Sequence, residues 1–347
     1  MDELGSNARA RADQISVVSD SAKAKVLAGT SVLALLHGDW SNALQAARQS
    51  LDMARQLQDK WLIGVSLYAL GECARNYEHD FPRAQSLLAN CLASARNSGD
   101  NWLTILALYS LAWNARLLGD WQLVTDFLEE ALALGQEIGE VWLSAAIVDQ
   151  LGEQAFLKSD YVHAKALYDT GLKLRRELRD QAAVAGSLNN LGKVAYAERD
   201  YAQAKTLFEE SLALFDELGQ QESVAILSHN LGYVAVRQKR YAQARSYFGQ
   251  GLELFRRLEN SAGIANCISG LASIAVESGN YPYAARLLGA SENLLPSQDA
   301  FFSPTDKAEH EQSLLTTRQA LGDAEFEQLL KQGRAFSLDM VMAYLKS

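Results

Sequence analysis

Proline is scarce in this chain, with four among 347 residues, and strict alternation of aliphatic with polar residues is almost absent. Together these argue against β structure. Cysteine is scarcer still: Cys73, Cys91 and Cys267 are odd in number, widely spaced and never in a Cys-x-x-Cys pair. Such a set suits neither a disulfide framework nor a zinc site, and reads as small core residues in a reducing compartment. No apolar run reaches about 18 residues, and residues 1–20 lack the apolar stretch of a signal peptide. The chain therefore reads as soluble and cytoplasmic, without a membrane partner. Positive charge is also short: the formal net charge of −10 disfavours direct nucleic-acid binding.

The signatures of chemistry are missing too. His37, His79, His163, His229 and His310 never stand four residues from another ligand type in a His-Glu-x-x-His arrangement, so no metal is expected. There is no phosphate-binding Gly-x-x-x-x-Gly-Lys-Ser/Thr; Gly192-Lys193 is followed by Val194. No Gly-x-Ser-x-Gly or Gly-x-Gly-x-x-Gly occurs either. The acidic pairs Glu129-Glu130 and Glu209-Glu210 read as solvated helix faces, because acid–base work needs a pocket that shifts a carboxylate pKa. The expectation is a protein that is not an enzyme and takes no cofactor.

What is present is repetition. Residues 181–220 and 221–260 are one 40-residue unit written twice. Leu191-Gly192 recurs as Leu231-Gly232, Tyr201-Ala-Gln-Ala204 as Tyr241-Ala-Gln-Ala244, and Leu214-Phe215 as Leu254-Phe255. Each unit predicts two helices. In the first, Val184, Leu188, Leu191, Val194 and Ala195 step by three or four residues. Asp200 can cap a second, with Tyr201, Ala204, Phe208, Leu212 and Phe215 on one stripe. Gly192 and Ala204 lack bulk where antiparallel helices must approach, and Tyr201 and Phe208 fill the space beside them. A pair this short cannot bury its apolar face alone, so the units must stack.

The turn before each second helix ends in an aromatic: Trp40, Phe81, Trp121, Tyr161, Tyr201, Tyr241 and Tyr281. The matching dipeptides are Leu70-Gly71, Leu111-Ala112, Leu151-Gly152, Leu191-Gly192, Leu231-Gly232 and Leu271-Ala272, while Thr30-Ser31 makes the first unit the most degenerate. About seven helical pairs therefore occupy residues 21–295. Before them, residues 1–20 carry a helical stripe of their own. Two readings stay open there: a tail or linker, or the second half of a repeat. After them, residues 296–347 break the period. Pro296 ends the last pair, Ser303-Pro304 opens a helix to about Leu321, and Asp323 and Ser337 can cap two more, with Phe336 and Val341 forming a staple over the last. These helices are expected to cap the apolar face of the final repeat.

The Leu-Gly, Tyr, Ala and Phe positions resemble the tetratricopeptide repeat in a variant longer than the usual 34 residues. Asp216 stands where that family often has proline. The implied fold is an all-α, tetratricopeptide-like α-solenoid with C-terminal capping helices. The end of the chain narrows the likeness further. Ala284–Ala290 (AARLLGA), Leu321-Gly322-Asp323, Phe326, Gly333-Arg334-Ala335, Ser337-Leu338 and Tyr344-Leu345 resemble the C-terminal region of bacterial LuxR-type regulators and signal-transduction ATPases with numerous domains. That resemblance implies the sensor or partner-binding arm of a nucleotide-switched regulator. The competing reading is a self-contained scaffold or adaptor.

In the tetratricopeptide scaffold the first helices line a concave groove. Positions two before the signature leucine, and two and five after it, then point inward. They give Tyr68, Glu72 and Arg75; Tyr109, Trp113 and Arg116; Asp149, Glu153 and Phe156; Asn189, Lys193 and Tyr196; His229 and Tyr233; and Ser269 and Ser273. Asn190 and Asn230 can add amides. Aromatics mixed with charges of both signs suit a protein, a peptide or a small effector. The third and fourth units depart most from the repeat pattern. Tyr109, Trp113, Arg116, Asp149 and Glu153 are accordingly the expected centre of recognition. The oligomeric state stays open.

Overall fold

A computed structural model describes residues 3–295 and 304–344, with side chains from Ser19 onward and again from Thr305. Among the described residues all regular structure is helical, in seventeen helices. These are α1 (Glu3–Leu36), α2 (Trp40–Gln56), α3 (Lys60–Asn76), α4 (Phe81–Ser98), α5 (Asn101–Leu117), α6 (Trp121–Ile138) and α7 (Trp142–Leu157). They continue with α8 (Tyr161–Leu178), α9 (Gln181–Ala197), α10 (Tyr201–Glu217), α11 (Gln221–Arg237), α12 (Tyr241–Arg257), α13 (Ser261–Glu277) and α14 (Tyr281–Leu294). After the repeats come α15 (Pro304–Leu321), α16 (Asp323–Arg334) and α17 (Leu338–Tyr344). Residues 3–20 are the first half of α1, with no break before the first repeat helix. Pro296, Ser303 and Leu345 lie outside the described residues.

The punctuation is local chemistry. Helix after helix ends on a left-handed residue about 20 positions from the last, from Gly38 (φ 71°) and Gln58 (φ 54°) to Gly279 (φ 74°). The next residue caps the following helix. Asp39, Asp59, Asp80, Asp100, Asp120, Asp160, Asp180 and Asp200 each accept a bond from a backbone N–H of the first turn. Glu140 does the same for α7, accepting from the N–H groups of Trp142, Leu143 and Ser144. A cap of this kind is worth about 1 kcal/mol.

The chain forms two compact units, residues 1–151 and 152–347, with the division inside α7. In unit 1, α3 packs on α2 and α4, and also on the neighbouring first helices α1 and α5. In unit 2, α11 packs on α10 and α12 and also on α13. First helices touching first helices make one face of each unit continuous.

The glycine crossings fall where the sequence places them. A Cβ on Gly192 would lie 2.5 Å from the Phe208 ring, and one on Gly232 would lie 2.6 Å from Phe248. Gly152 meets Tyr168 in the same way. Where alanine replaces the glycine, at Ala112 and Ala272, the equivalent second-helix residue is the smaller Leu128 or Leu288, and all four are buried. Volume is thus traded across these crossings, whereas at Gly71 the glycine meets a leucine, Leu88, at 2.7 Å. Phe208, Phe248 and Phe255 continue into one core that reaches Phe326, Leu329, Leu330 and Val341.

Capping of the last repeat falls mainly to α16. Gly289 of α14 and Gly333 of α16 bring the two backbones together: a side chain on either would strike the Leu330 or Arg286 carbonyl. Arg334 donates two bonds to Glu292 across the same crossing, at 3.0 and 2.7 Å. The sequence assigns the α16 cap to Asp323; instead Gly322 holds that position at φ 78°, and Asp323 is the first helical residue. Ser337 does cap α17, accepting from Met340 N–H at 3.3 Å. The helix expected to share the capping, α15, also packs on α13 and α14 of the last repeat, and it reaches beyond them.

Candidate functional site

α15 lies against the first-helix face of unit 2. It packs on α13 and α14 and makes polar contacts as far back as α9. Its Glu309 accepts a bond from the Tyr196 hydroxyl of α9 at 2.8 Å. The same carboxylate pairs with Arg237 of α11, whose Nε donates at 3.1 Å. Asp306 lies 3.2 Å from His229 Nε2 of α11. His310 Nδ1 is 2.8 Å from the Ser269 hydroxyl of α13, and Ser313 is 3.2 Å from Ser273.

Burial follows from this cover. His229 is fully buried, Tyr233 is 3% exposed and Tyr196 9%. The Tyr233 ring packs edge-on against His229, at 5.0 Å between centroids, and against Phe248 at 5.2 Å. Burial pushes the Tyr233 phenol well above its ordinary value, with Asp306 and Glu309 adding to the effect. Tyr196 is raised first by burial and then by Glu309. Lys193 is pushed down by burial, while Asp306 and Glu153 pull it back. Asn230 donates to Asn189 at 3.0 Å, so these amides join neighbouring first helices. Beside the start of α15, Phe156, Tyr161, Tyr196, Tyr201, Arg199, Arg237 and Glu309 line a pocket of about 550 Å3. The Phe156 and Tyr161 rings lie tilted against each other on one wall, 5.6 Å between centroids.

Unit 1 is arranged differently. Tyr68, Tyr109, Trp113 and Arg116 are all part-exposed on its first helices. The Arg116 guanidinium sits 5.2 Å from the Trp113 ring centroid, a cation–π contact. Glu72 and Arg75 form a mostly buried pair at 2.6 Å, and Arg75 also donates to the Ser110 carbonyl of α5 at 3.1 Å. Arg75 therefore ties two repeats together. The second Glu72 oxygen, Oε1, is buried without a hydrogen bond. Burial and the Glu72 charge raise the Tyr68 phenol. Asp149 is part-buried on α7 within unit 1, whereas Glu153 and Phe156 fall in unit 2.

The inward spacing rule did not select Arg237, nor Asp306, Glu309 and His310 of α15. One signal was readable: Asp306, His310, Ser313 and Thr317 recur at helical spacing, a polar stripe on a helix that follows an apolar array. The cysteines are all buried and unpaired. Burial raises Cys73 to about 11 and Cys91 to about 12, the thiol form of a packed residue. Among the described residues no group of three or more His, Cys, Asp or Glu could hold a metal. No described helix is long and apolar enough to cross a membrane.

Residues 184–215 and 223–297 match tetratricopeptide-repeat family models. No curated protein matches the chain. Among solved structures it is similar to BtubC (BKLC) from P. vanneervenii, with 23% identity and a TM-score of 0.57, covering 63% of this chain and 92% of that one. It is also similar to the signal-transduction ATPase PH0952 from Pyrococcus horikoshii, which carries a tetratricopeptide-repeat sensor. There the identity is 13% and the TM-score 0.63, over 93% of this chain but 49% of the ATPase, about half its length. A third likeness, with 13% identity and a TM-score of 0.61, is to NprR in complex with its cognate peptide NprX, over 92% of this chain and 91% of that one. At these identities the likeness is one of fold. The fold of the chain is a tetratricopeptide-like α-solenoid, with residues 184–215 and 223–297 matched to that repeat family.

Proposed function

We propose that this chain is a non-enzymatic binding domain for a protein or peptide, and that unit 1 carries the recognition surface. One observation supports this reading above others. The inward positions of unit 1 present Tyr109, Trp113 and Arg116 part-exposed, while Tyr196 and His229 at inward positions of unit 2 are buried under the chain's own helix. Large rigid aromatics beside a guanidinium provide binding area at little entropic cost, and such residues dominate interface energetics. The acidic net charge and the mixed signs on this face favour a peptide over a nucleic acid.

Within a larger protein, the domain would serve as the sensor arm of a bacterial signal-transduction ATPase or transcriptional regulator. The likeness to a sensor-bearing ATPase about twice its length, and to a regulator solved with its peptide, supports that role. The encoding reading frame bears on it directly, since an upstream nucleotide-binding module is expected.

A displayed-peptide selection on the intact chain tests the binding function. Selected peptides should lose about 30-fold in affinity on Trp113→Ala, near 2 kcal/mol, with the melting midpoint held. Peptides that bind Trp113→Ala as well as the parent would place recognition elsewhere.

A further inference from the structure

The buried stripe of α15 contains no aliphatic residue. Asp306, His310, Ser313 and Thr317 are each under 7% exposed, and the first three contact hydroxyl or imidazole groups on α11 and α13. Only Leu314 and Leu321 pack part-buried against the core beside it, and Leu315 is exposed. A helix that belongs to a core is held by apolar area, which water competes for poorly. A helix held through hydrogen bonds gains a net of roughly 1 kcal/mol from each, because water or another carboxylate offers nearly the same. α16 illustrates the first kind, with Phe326, Leu329 and Leu330 buried in the core. α15 is the second.

The face beneath α15 is selective. It offers two stations about one helical turn apart along α15. At one, His229 faces Asp306, with Lys193 lining the same small cavity. At the other, Tyr196 and Arg237 both donate to Glu309. Both stations present donors or a titratable base to an acid, which is the complement of a carboxylate pair.

From this geometry we infer that the α9–α11–α13 face is a binding surface for acidic helical peptides with carboxylates three residues apart, and that α15 is its intramolecular occupant. A partner segment of that pattern engages the face by displacing α15. Covalent attachment gives α15 an effective concentration in the millimolar range, so α15 sets a threshold that only a tighter acidic segment crosses. This inference concerns unit 2 and does not depend on recognition by unit 1.

The probe is a fluorescent peptide of residues 304–321, titrated onto the full chain and onto an Asp306→Ala, Glu309→Ala double variant. The double variant should bind the peptide at least tenfold more tightly than the parent chain. A peptide carrying Asp306→Asn and Glu309→Gln should bind at least tenfold more weakly than the native peptide. Adding Arg237→Ala to the double variant should weaken binding, and adding Trp113→Ala should not. A double variant that keeps its helical circular dichroism yet binds no peptide overturns the inference. If the double variant unfolds, hydrogen exchange on the conservative Glu309→Gln decides. Exchange accelerated about tenfold in α15, with α12 and α16 unchanged, supports a displaceable occupant. Acceleration through α11–α14 in step would make α15 an integral core element and overturn it.

Discussion

The two units use the same repeat and finish it in opposite ways. In unit 2 the first-helix face is closed by α15, which brings hydrogen-bond partners to Tyr196, His229, Arg237, Ser269 and Ser273. In unit 1 the corresponding face keeps Tyr68, Tyr109, Trp113 and Arg116 part-exposed. The aromatic content differs as well. All six tryptophans, Trp40, Trp61, Trp102, Trp113, Trp121 and Trp142, lie in unit 1, whereas the crossings of unit 2 are filled by Tyr168, Phe208 and Phe248. The comparison teaches that the repeat specifies a scaffold, while what covers its inner face is decided by sequence outside the repeat. It also supplies an experimental handle, because tryptophan fluorescence reports on unit 1 alone.

The largest expected break is in unit 2. Phe248 is fully buried and meets Gly232, Gly270, His229 and Tyr233. Phe248→Ala should cost about 3–5 kcal/mol and loosen the face on which α15 rests. Urea melts should show the loss in circular dichroism, with the tryptophan transition moved far less. Equal shifts in both signals would mean that the units unfold as one body.

Next in size is overpacking of a crossing. Gly192→Leu should cost roughly 1–3 kcal/mol, because its first side-chain atom already meets the Phe208 ring at 2.5 Å. The smaller change Gly192→Ala should be partly rescued by Phe208→Leu, which recreates the Ala112 and Leu128 combination of unit 1. A double-mutant cycle showing strict additivity would sever that pairing.

These two crossings also show how much could be read in advance. The helical pairs, their boundaries near each turn and the glycine contacts were legible, because each rests on neighbours in sequence or on one 40-residue period. The fate of α15 was not. Its capping role was inferred from position, but the docking of Asp306 on His229 spans 77 residues and that of Glu309 on Tyr196 spans 113. No periodicity encodes such a pair. Likewise Arg75 follows the inward spacing, yet it bonds Glu72 and a backbone carbonyl of the next repeat. Spacing gives the face a residue occupies and leaves its partner undetermined.

Alkaline titration sharpens the comparison through the occupant's charge. An unfolded phenol ionises near 10.0, and the folded Tyr196 holds its proton well above that value. Between the two, the unfolded state binds fewer protons, so stability falls as pH rises past 10. Tyr68 in unit 1 behaves alike through burial and Glu72, so both units weaken. Tyr68 owes none of its shift to Glu309, whereas Tyr196 and, more weakly, Tyr233 of unit 2 do. In Glu309→Gln, Tyr196 and Tyr233 should therefore titrate earlier, read by phenolate absorbance, while Tyr68 of unit 1 stays put. An unchanged titration curve would remove Glu309 from the Tyr196 environment.

The smallest effect concerns the turns, where unit 2 carries more local strain. Unit 1 places glycine at four of its six left-handed helix ends, Gly38, Gly99, Gly119 and Gly139, with Gln58 and His79 the others. The repeats of unit 2 place glycine only at Gly219 and Gly279, and use Ser159, Arg179, Arg199, Lys239 and Glu259 elsewhere. A side chain at positive φ costs on the order of 1 kcal/mol relative to glycine, partly offset by glycine's greater freedom in the unfolded chain. The following caps differ too. Every α2–α6 cap in unit 1 is an aspartate that bonds the first turn, whereas Gln220 and Arg240 in unit 2 make no side-chain cap bond. Lys239-Arg240 combines both weaknesses at one turn. Replacing it with the Gly-Asp of Gly119-Asp120, as Lys239→Gly with Arg240→Asp, should relieve the backbone and add a cap to α12, raising stability by about 1 kcal/mol. The gain should appear in circular dichroism and not in tryptophan fluorescence. Slower hydrogen exchange should be confined to α11 and α12. No gain, or a gain spread evenly over both units, would mean that these turns do not limit the stability of unit 2.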